Sequence, residues 1–133
     1  MDPRMIDVVI VDDQQIVREG LRSLLRTDST LTIIGEYSDG AQVVEALTRL
    51  RPDVIVMDVR MPVMDGALTT QRIRELHGPP VLILTTFDDD ETLARALRAG
   101  AAGFLLKSAP GEDILRAIHA VSEGGSWIDP AVA

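Results

Sequence analysis

Asp53-Val54-Ile55-Val56-Met57-Asp58 is the stretch that decides the architecture. Its central residues are apolar without a break, so no alternation assigns one side to water. A strand of this kind is buried on both faces, as in a parallel sheet covered by helices. Val8-Val9-Ile10-Val11 and Val81-Leu82-Ile83-Leu84 repeat the pattern, and Leu31 to Tyr37 and Ala102 to Leu106 supply two further strand-like runs. Between the runs the apolar spacing changes to that of helices. Ile16, Val17, Leu21, Leu24 and Leu25 form one stripe, and Val43, Leu47 and Leu50 another. Leu68, Ile73 and Leu76 mark a weaker helix, Leu93, Ala96 and Leu97 a short one, and Ile114, Leu115, Ile118 and Val121 the last.

Turn chemistry agrees with this division. Asp39-Gly40 opens the second helix and Arg51-Pro52 ends it, Gly78-Pro79-Pro80 ends the third, and Ala99-Gly100 closes the fourth. Strand and helix alternate through five units with short connections, and right-handed crossovers then place helices on both faces. The predicted fold class is α/β: a doubly wound five-stranded parallel sheet of order 2-1-3-4-5, (βα)5 and flavodoxin-like.

The chain of 133 residues has the size of one domain, and 46% of it is hydrophobic, enough for a core. Aromatic residues make up only 3%, so that core is built from Val, Ile, Leu, Ala and Met. A net charge of −8 is the wrong sign for wrapping nucleic acid or an anionic membrane. With no cysteine, disulfides, thiolate zinc sites and thiol catalysis are excluded. Met1-Asp2-Pro3-Arg4 leads straight into a strand without a signal-peptide pattern, and no apolar run has the length of a membrane span. The expectation is a cytoplasmic domain that contacts neither membrane nor nucleic acid directly.

In an open α/β sheet, ligands bind outside the carboxyl ends of the strands, where the strand order reverses. The first strand-like run ends in Asp12-Asp13, the third in Asp58, the fourth in Thr85-Thr86 and the fifth in Lys107. The expected strand order brings these residues to one spot. Three carboxylates and one ammonium leave a charge of about −2, which raises carboxylate pKa values unless a cation intervenes. The ligands on offer are hard oxygens, which suits Mg²⁺. With Mg²⁺ neutralising an incoming phosphoryl group, Asp58 becomes a workable nucleophile. Lys107 and the Thr85 hydroxyl are placed to hold phosphoryl oxygens after transfer. A single Asp after a strand is most often a helix cap or a turn residue, and one of Asp12 and Asp13 could cap the first helix. Capping explains a strand-terminal lysine less well, and it does not explain all four strand ends together.

At these residues the sequence resembles the receiver domain of bacterial two-component response regulators. The motifs are Val11-Asp12-Asp13, Met57-Asp58-Val59-Arg60-Met61-Pro62-Val63-Met64-Asp65-Gly66, Leu84-Thr85-Thr86 and Gly100-Ala101-Ala102-Gly103-Phe104-Leu105-Leu106-Lys107. They cover residues 5–123, leaving 124–133 as the expected start of a linker to an output domain that is absent here. The resemblance implies that Asp58 accepts a phosphoryl group from a sensor histidine kinase or a small phosphodonor. It further implies that Asp13, Asp12, Asp58 and the backbone carbonyl of Arg60 hold Mg²⁺, Asp12 directly or through water. Thr85, Thr86 and Lys107 bind the phosphoryl group, and Phe104 is the aromatic switch that turns inward when Thr85 vacates its space. Phe104 lacks the hydroxyl of the tyrosine often found there, so its two states differ by packing alone. Lys107-Ser108 stands where the family usually has Lys-Pro with a cis peptide. A cis bond to a non-proline costs roughly 3 kcal/mol, so this peptide is expected to be trans or else held by local strain.

Ile16-Val17-Arg18-Glu19-Gly20-Leu21, Thr86-Phe87-Asp88-Asp89-Asp90-Glu91 and Gly124 to Ala133 resemble the subfamily whose output is a C-terminal helix-turn-helix of the LuxR type. The implied whole is a transcription regulator in which phosphorylation controls dimerisation and DNA binding. The dimer would use helix four, strand five and helix five, or helices one and five, with Leu93, Leu97, Ile114 and Ile118 on the face.

His77 and His119 are isolated near helix C-terminal halves, where a cation suits the helix dipole better than a metal or catalytic role. Met61 and Met64 read as loop packing, and Asp88 to Glu91 as acids at a helix start. Phe87 either shields the phosphoryl group from water or simply packs. Two other readings are poorer. A haloacid-dehalogenase-type phosphatase needs a second acid two residues after the nucleophile, where this chain has Arg60. An FMN carrier needs a hydroxyl-rich phosphate loop and flanking aromatics, where this chain has Asp12-Asp13-Gln14-Gln15 and a single Trp and Tyr. The domain is therefore expected to be a regulatory switch and not a turnover enzyme.

Overall fold

A computed structural model describes residues 5–61, 63–86 and 90–129. Strands β1 (Ile6–Val11), β2 (Leu31–Tyr37), β3 (Val54–Met57), β4 (Val81–Thr85) and β5 (Gly103–Leu106) alternate with helices α1 (Gln15–Leu25), α2 (Gly40–Ala46), α3 (Gly66–Glu75), α4 (Asp90–Arg98) and α5 (Gly111–Ser122). A short β6 (Trp127–Ile128) follows, and the sheet runs β2-β1-β3-β4-β5-β6 with parallel pairs throughout. The α/β flavodoxin-like fold and the order 2-1-3-4-5 are as the sequence implies, with one strand more.

The unbroken apolar strands are buried on both sides, and successive residues feed opposite cores. Val8, Ile10, Val54, Val56, Leu82, Leu84 and Leu105 face α1 and α5. Val9, Val11, Ile55, Met57, Ile83 and Phe104 join Val43 of α2, Ile73 of α3 and Ala96 of α4 on the other face. This arrangement corrects the expected dimer face. Ile114 and Ile118 are 5% and 0% exposed, because the α5 stripe that carries them is the one that covers β3, β4 and β5. Leu97 remains exposed, while Leu93 is partly buried against the second core.

Two stripes also differ in detail. Ile16 belongs to no core, being 77% exposed at the start of α1. Of the expected α3 stripe, Leu68 and the C-cap residue Leu76 are exposed, while Thr69 and Thr70 are fully buried. Their hydroxyls donate to the carbonyls of Asp65 and Gly66 one turn back, which makes threonine acceptable on a buried helix face. Gly66 is required by close approach. A Cβ there would lie 2.5 Å from the carbonyl oxygen of Asp58, where α3 begins against the loop after β3.

Within the expected linker entrance, Trp127 and Ile128 form a strand. Trp127 N–H donates to the Ala102 carbonyl at 3.2 Å and Asp129 N–H to the Phe104 carbonyl at 2.8 Å. The Asp129 carboxylate then accepts from Leu106 N–H at 3.0 Å and is itself 6% exposed. Apolar patterning cannot reveal a two-residue strand. Asp129→Ala is expected to cost about 2 kcal/mol, because it leaves the Leu106 N–H short of a partner. The single tryptophan, two residues away, reports the change: a red-shifted Trp127 emission with the rest of the fold intact is predicted. An unshifted spectrum would mean that Asp129 does not pin β6.

One tertiary contact sets an acid sensitivity. The Asp28 carboxylate accepts from the Thr30 hydroxyl at 2.6 Å and sits 2.9 Å from His119 Nε2. The Thr30 hydroxyl first, and His119 second, hold the Asp28 carboxyl below the ordinary range. A depressed folded-state pKa stabilises above the unfolded value near 3.9 and is lost as pH falls through the folded one. Asp28→Asn should therefore cost about 1 kcal/mol at pH 7, after discounting for solvent screening, and almost nothing at pH 2. A gap between variant and wild-type melting that does not close in acid would contradict this.

Candidate functional site

The parallel register delivers the polar residues to one edge. Val11 pairs with Met57, so Asp12 and Asp58 leave β1 and β3 in step. Thr85 pairs with Leu106, so Lys107 follows beside the end of β4. Backbone bonds fix each exit: Asp58 N–H to the Val11 carbonyl at 3.0 Å, Asp12 N–H to that of Tyr37 at 3.1 Å, and Lys107 N–H to that of Thr85 at 2.7 Å.

There the side chains meet. Carboxylate oxygens of Asp12, Asp13 and Asp58 all lie within 4.8 Å of one another. Lys107 Nζ stands 2.8 Å from Asp12 Oδ2 and 3.2 Å from Asp58 Oδ2. Asp58 Oδ1 accepts from the Arg60 N–H at 3.3 Å. Asp12 is 1% exposed and Asp58 8%, whereas Asp13 is open to solvent. Asp12 is not the cap of α1; Gln14 is, without a side-chain bond. The Asp12 Oδ1 atom instead accepts from Gln14 N–H at 2.9 Å.

Burial pushes the Asp58 carboxyl up, with Asp12 adding to it, and the Lys107 charge and the Arg60 N–H only partly oppose this. For Lys107, burial pulls down, but the bond to Asp12 and the charge of Asp58 outweigh it and leave the ammonium raised. An ionised Asp58 is thus held in a poorly solvated place with one cation to share. That carboxylate gains from any further positive charge brought to it, and exposed Asp13 offers the approach.

Thr85 is fully buried at the end of β4, and Thr86 next to it is exposed. Phe104 is fully buried in the second core, opposite Ile83 on β4. In this conformation the ring is therefore already on the inside. The Lys107-Ser108 peptide is trans, for no cis peptide occurs among the described residues. Phe87, Asp88 and Asp89, whose shielding and helix-start readings the sequence raised, lie outside the described residues, as does Pro62. Beside the acids, a cleft of about 470 Å³ is lined by Asp13, Arg60, Met61, Asp65, Thr92 and Arg95. Across it Arg95 of α4 pairs at 2.8 Å with Asp65, the N-cap of α3. A separate apolar groove at the ends of α2 and α3, lined by Val44, Leu47 and Leu76 among others, holds none of these carboxylates.

Sequence reasoning missed one participant. Arg18, on α1, donates through Nη1 to the backbone carbonyl of Asp12. A cation one turn into the helix after an acidic pair is the signal that could have found it.

A sheet of this order with three carboxylates and a lysine at its switch point fits a phosphoacceptor regulatory domain. Residues 8–119 match the model of the response regulator receiver domain, and the chain belongs to that family. It is similar to the transcriptional regulatory protein LiaR of Bacillus subtilis (strain 168), 41% identical over 130 residues, which cover 97% of this chain and 62% of that protein. The signal receiver domain of the putative response regulator NarL from Mycobacterium tuberculosis superposes with a TM-score of 0.87 at 36% identity, over 92% of this chain and 99% of that one. A two-component response regulator of the LuxR family from Aurantimonas sp. SI85-9A1 gives 0.91 at 29% identity, over 96% and 92%. The close homologues are thus of the LuxR type, and this chain spans about three fifths of the length of the curated relatives it matches. No helix among the described residues is long and apolar enough to cross a membrane.

Proposed function

We propose that Asp58 is the phosphoacceptor of a two-component switch, supplied by a sensor histidine kinase. The observation that carries this is the meeting of Asp12, Asp13, Asp58 and Lys107 at adjoining strand ends. An Asp58 carboxylate oxygen attacks phosphorus, the phosphorus–nitrogen bond of a phosphohistidine breaks, and the imidazole leaves with its electron pair and takes up a proton. The product is an acyl phosphate on Asp58. Lys107 already pairs with that carboxylate, so it exchanges a carboxylate oxygen for phosphoryl oxygens while keeping Asp12. The hydroxyls of Thr85, at the end of β4, and of Thr86 after it supply neutral donors to the same group.

The three carboxylates fit a hard divalent cation, with the Arg60 backbone carbonyl as a further ligand. Mg²⁺ bound there would screen the negative charges of carboxylate and phosphoryl group from each other. The structural response runs through Thr85 and Phe104 to α4, β5 and α5 or to α1 and α5, where a second copy binds. To invert a mostly inactive population, phosphorylation must favour the active state by about 5 kcal/mol. In the full-length protein the output is a LuxR-type helix-turn-helix, which the length of the relatives and the resemblance of the tail support. A small acyl phosphate with Mg²⁺ is expected to label the wild-type chain, EDTA to prevent it, and Asp58→Ala to abolish it. Undiminished labelling of the variant contradicts the assignment.

A further inference from the structure

We infer that Arg18 is a positioning residue for the cation site, acting through the backbone of Asp12. The inference rests on the reading of Asp12, Asp13 and Asp58 as a divalent-cation and phosphoryl site. Asp12 is gripped at every polar atom. Its N–H donates to the Tyr37 carbonyl at 3.1 Å, Oδ1 accepts from Gln14 N–H at 2.9 Å, and Oδ2 pairs with Lys107 at 2.8 Å. The remaining atom is its carbonyl oxygen, and the Arg18 guanidinium takes it.

That carbonyl belongs to the peptide joining Asp12 to Asp13. Fixing it sets the plane from which the Asp13 side chain departs. Asp13 is the exposed member of the trio and has no strand or core to hold its backbone. Arg18 itself is half-buried on the first turns of α1, next to a sheet edge that carries Glu36. One turn further along, Arg22 is bonded to Glu36 at 2.8 Å through two nitrogens, so the helix is anchored to β2 without help from Arg18. The bond from Arg18 to Asp12 is therefore spare as structural cement and specific to the acidic turn.

Charge and geometry make opposite predictions, which is what allows a test. As a bare positive charge beside three carboxylates, Arg18 would weaken the binding of a cation, and removing it would tighten binding. As a positioning residue it pre-sets the Asp12–Asp13 peptide, and removing it loosens binding. Groups that orient metal ligands are typically worth 10–100-fold in affinity, well above what one partly solvated charge contributes through water.

The experiment is Mg²⁺ titration of the chain, without phosphodonor, followed by calorimetry or Trp127 fluorescence. It is run on wild type, Arg18→Met, Arg18→Lys and Arg22→Met. Arg18→Met is expected to weaken Mg²⁺ about tenfold or more, and Arg18→Lys, long enough to reach the carbonyl, to recover part of it. Arg22→Met should lower the melting temperature by losing Glu36 yet leave Mg²⁺ affinity within about twofold of wild type, which separates positioning from loss of stability. Equal or tighter Mg²⁺ binding by Arg18→Met, or an equal loss in Arg22→Met, overturns the inference while the wild-type site stands. Failure of the wild-type chain to bind Mg²⁺ overturns both this inference and the cation reading beneath it.

Discussion

Lys107→Met is expected to destabilise the chain by about 3 kcal/mol at pH 7, with the loss shrinking as the pH falls toward 4. The ammonium pairs with both Asp12 and Asp58, and both carboxylates are largely out of water. Removing it leaves two buried negative charges uncompensated, which is the costly way to break a buried pair. Burial already holds the Asp58 carboxyl above its ordinary value, and without Lys107 it rises further. A carboxyl with a raised folded-state pKa is destabilising above that pKa and is relieved by protonation as the pH drops through it. Urea denaturation of variant and wild type between pH 4 and 8 measures the effect. Added Mg²⁺ should recover more stability in the variant than in wild type, because Asp12 and Asp58 have then lost the ammonium they share. A loss that is the same at every pH would show that Lys107 supports the fold by its apolar stem and not by its charge.

The second large effect lies beneath the site. Phe104→Ala is expected to cost about 3–5 kcal/mol, and Phe104→Leu less than about 1.5 kcal/mol. The ring is fully buried among residues such as Met57, Ile83 and Ala96, where an alanine leaves a cavity that rigid strands cannot close. Total stabilities of about 5–15 kcal/mol leave little after such a loss, so the alanine variant should be close to unfolding at 37 °C. The denaturant midpoint at unchanged slope is the measurement. A cost below about 1 kcal/mol would mean that the ring spends its time outside the core in solution.

The fold was legible because the apolar runs of β1, β3 and β4 have no polar face. Only a covered parallel sheet accommodates that pattern, and the strand-end residues then fall together without further information. Helix faces were harder. Ile114 and Ile118 carry the same letters whether a stripe meets the sheet or a second molecule, and only the packing of α5 against β3, β4 and β5 decides between them. Thr69 and Thr70 were invisible as core residues because their hydroxyls are satisfied by their own helix. The contacts of Arg18 and Asp129 are to backbone atoms, which no pattern of side chains announces. β6 was missed for the same reason, since its support comes from backbone bonds to β5 and not from apolar spacing.

Of the three acids in the cluster, Asp58 is the one proposed to carry the phosphoryl group. An acyl phosphate is reduced by borohydride to an alcohol, which converts a phosphorylated aspartate into homoserine. The wild-type chain should be treated with a small acyl phosphate and Mg²⁺, reduced, digested and sequenced by mass spectrometry. Homoserine at position 58, with Asp12 and Asp13 unchanged, is the predicted result. Homoserine at position 12 or 13, or a labelled chain in which Asp58 remains aspartate, would contradict it.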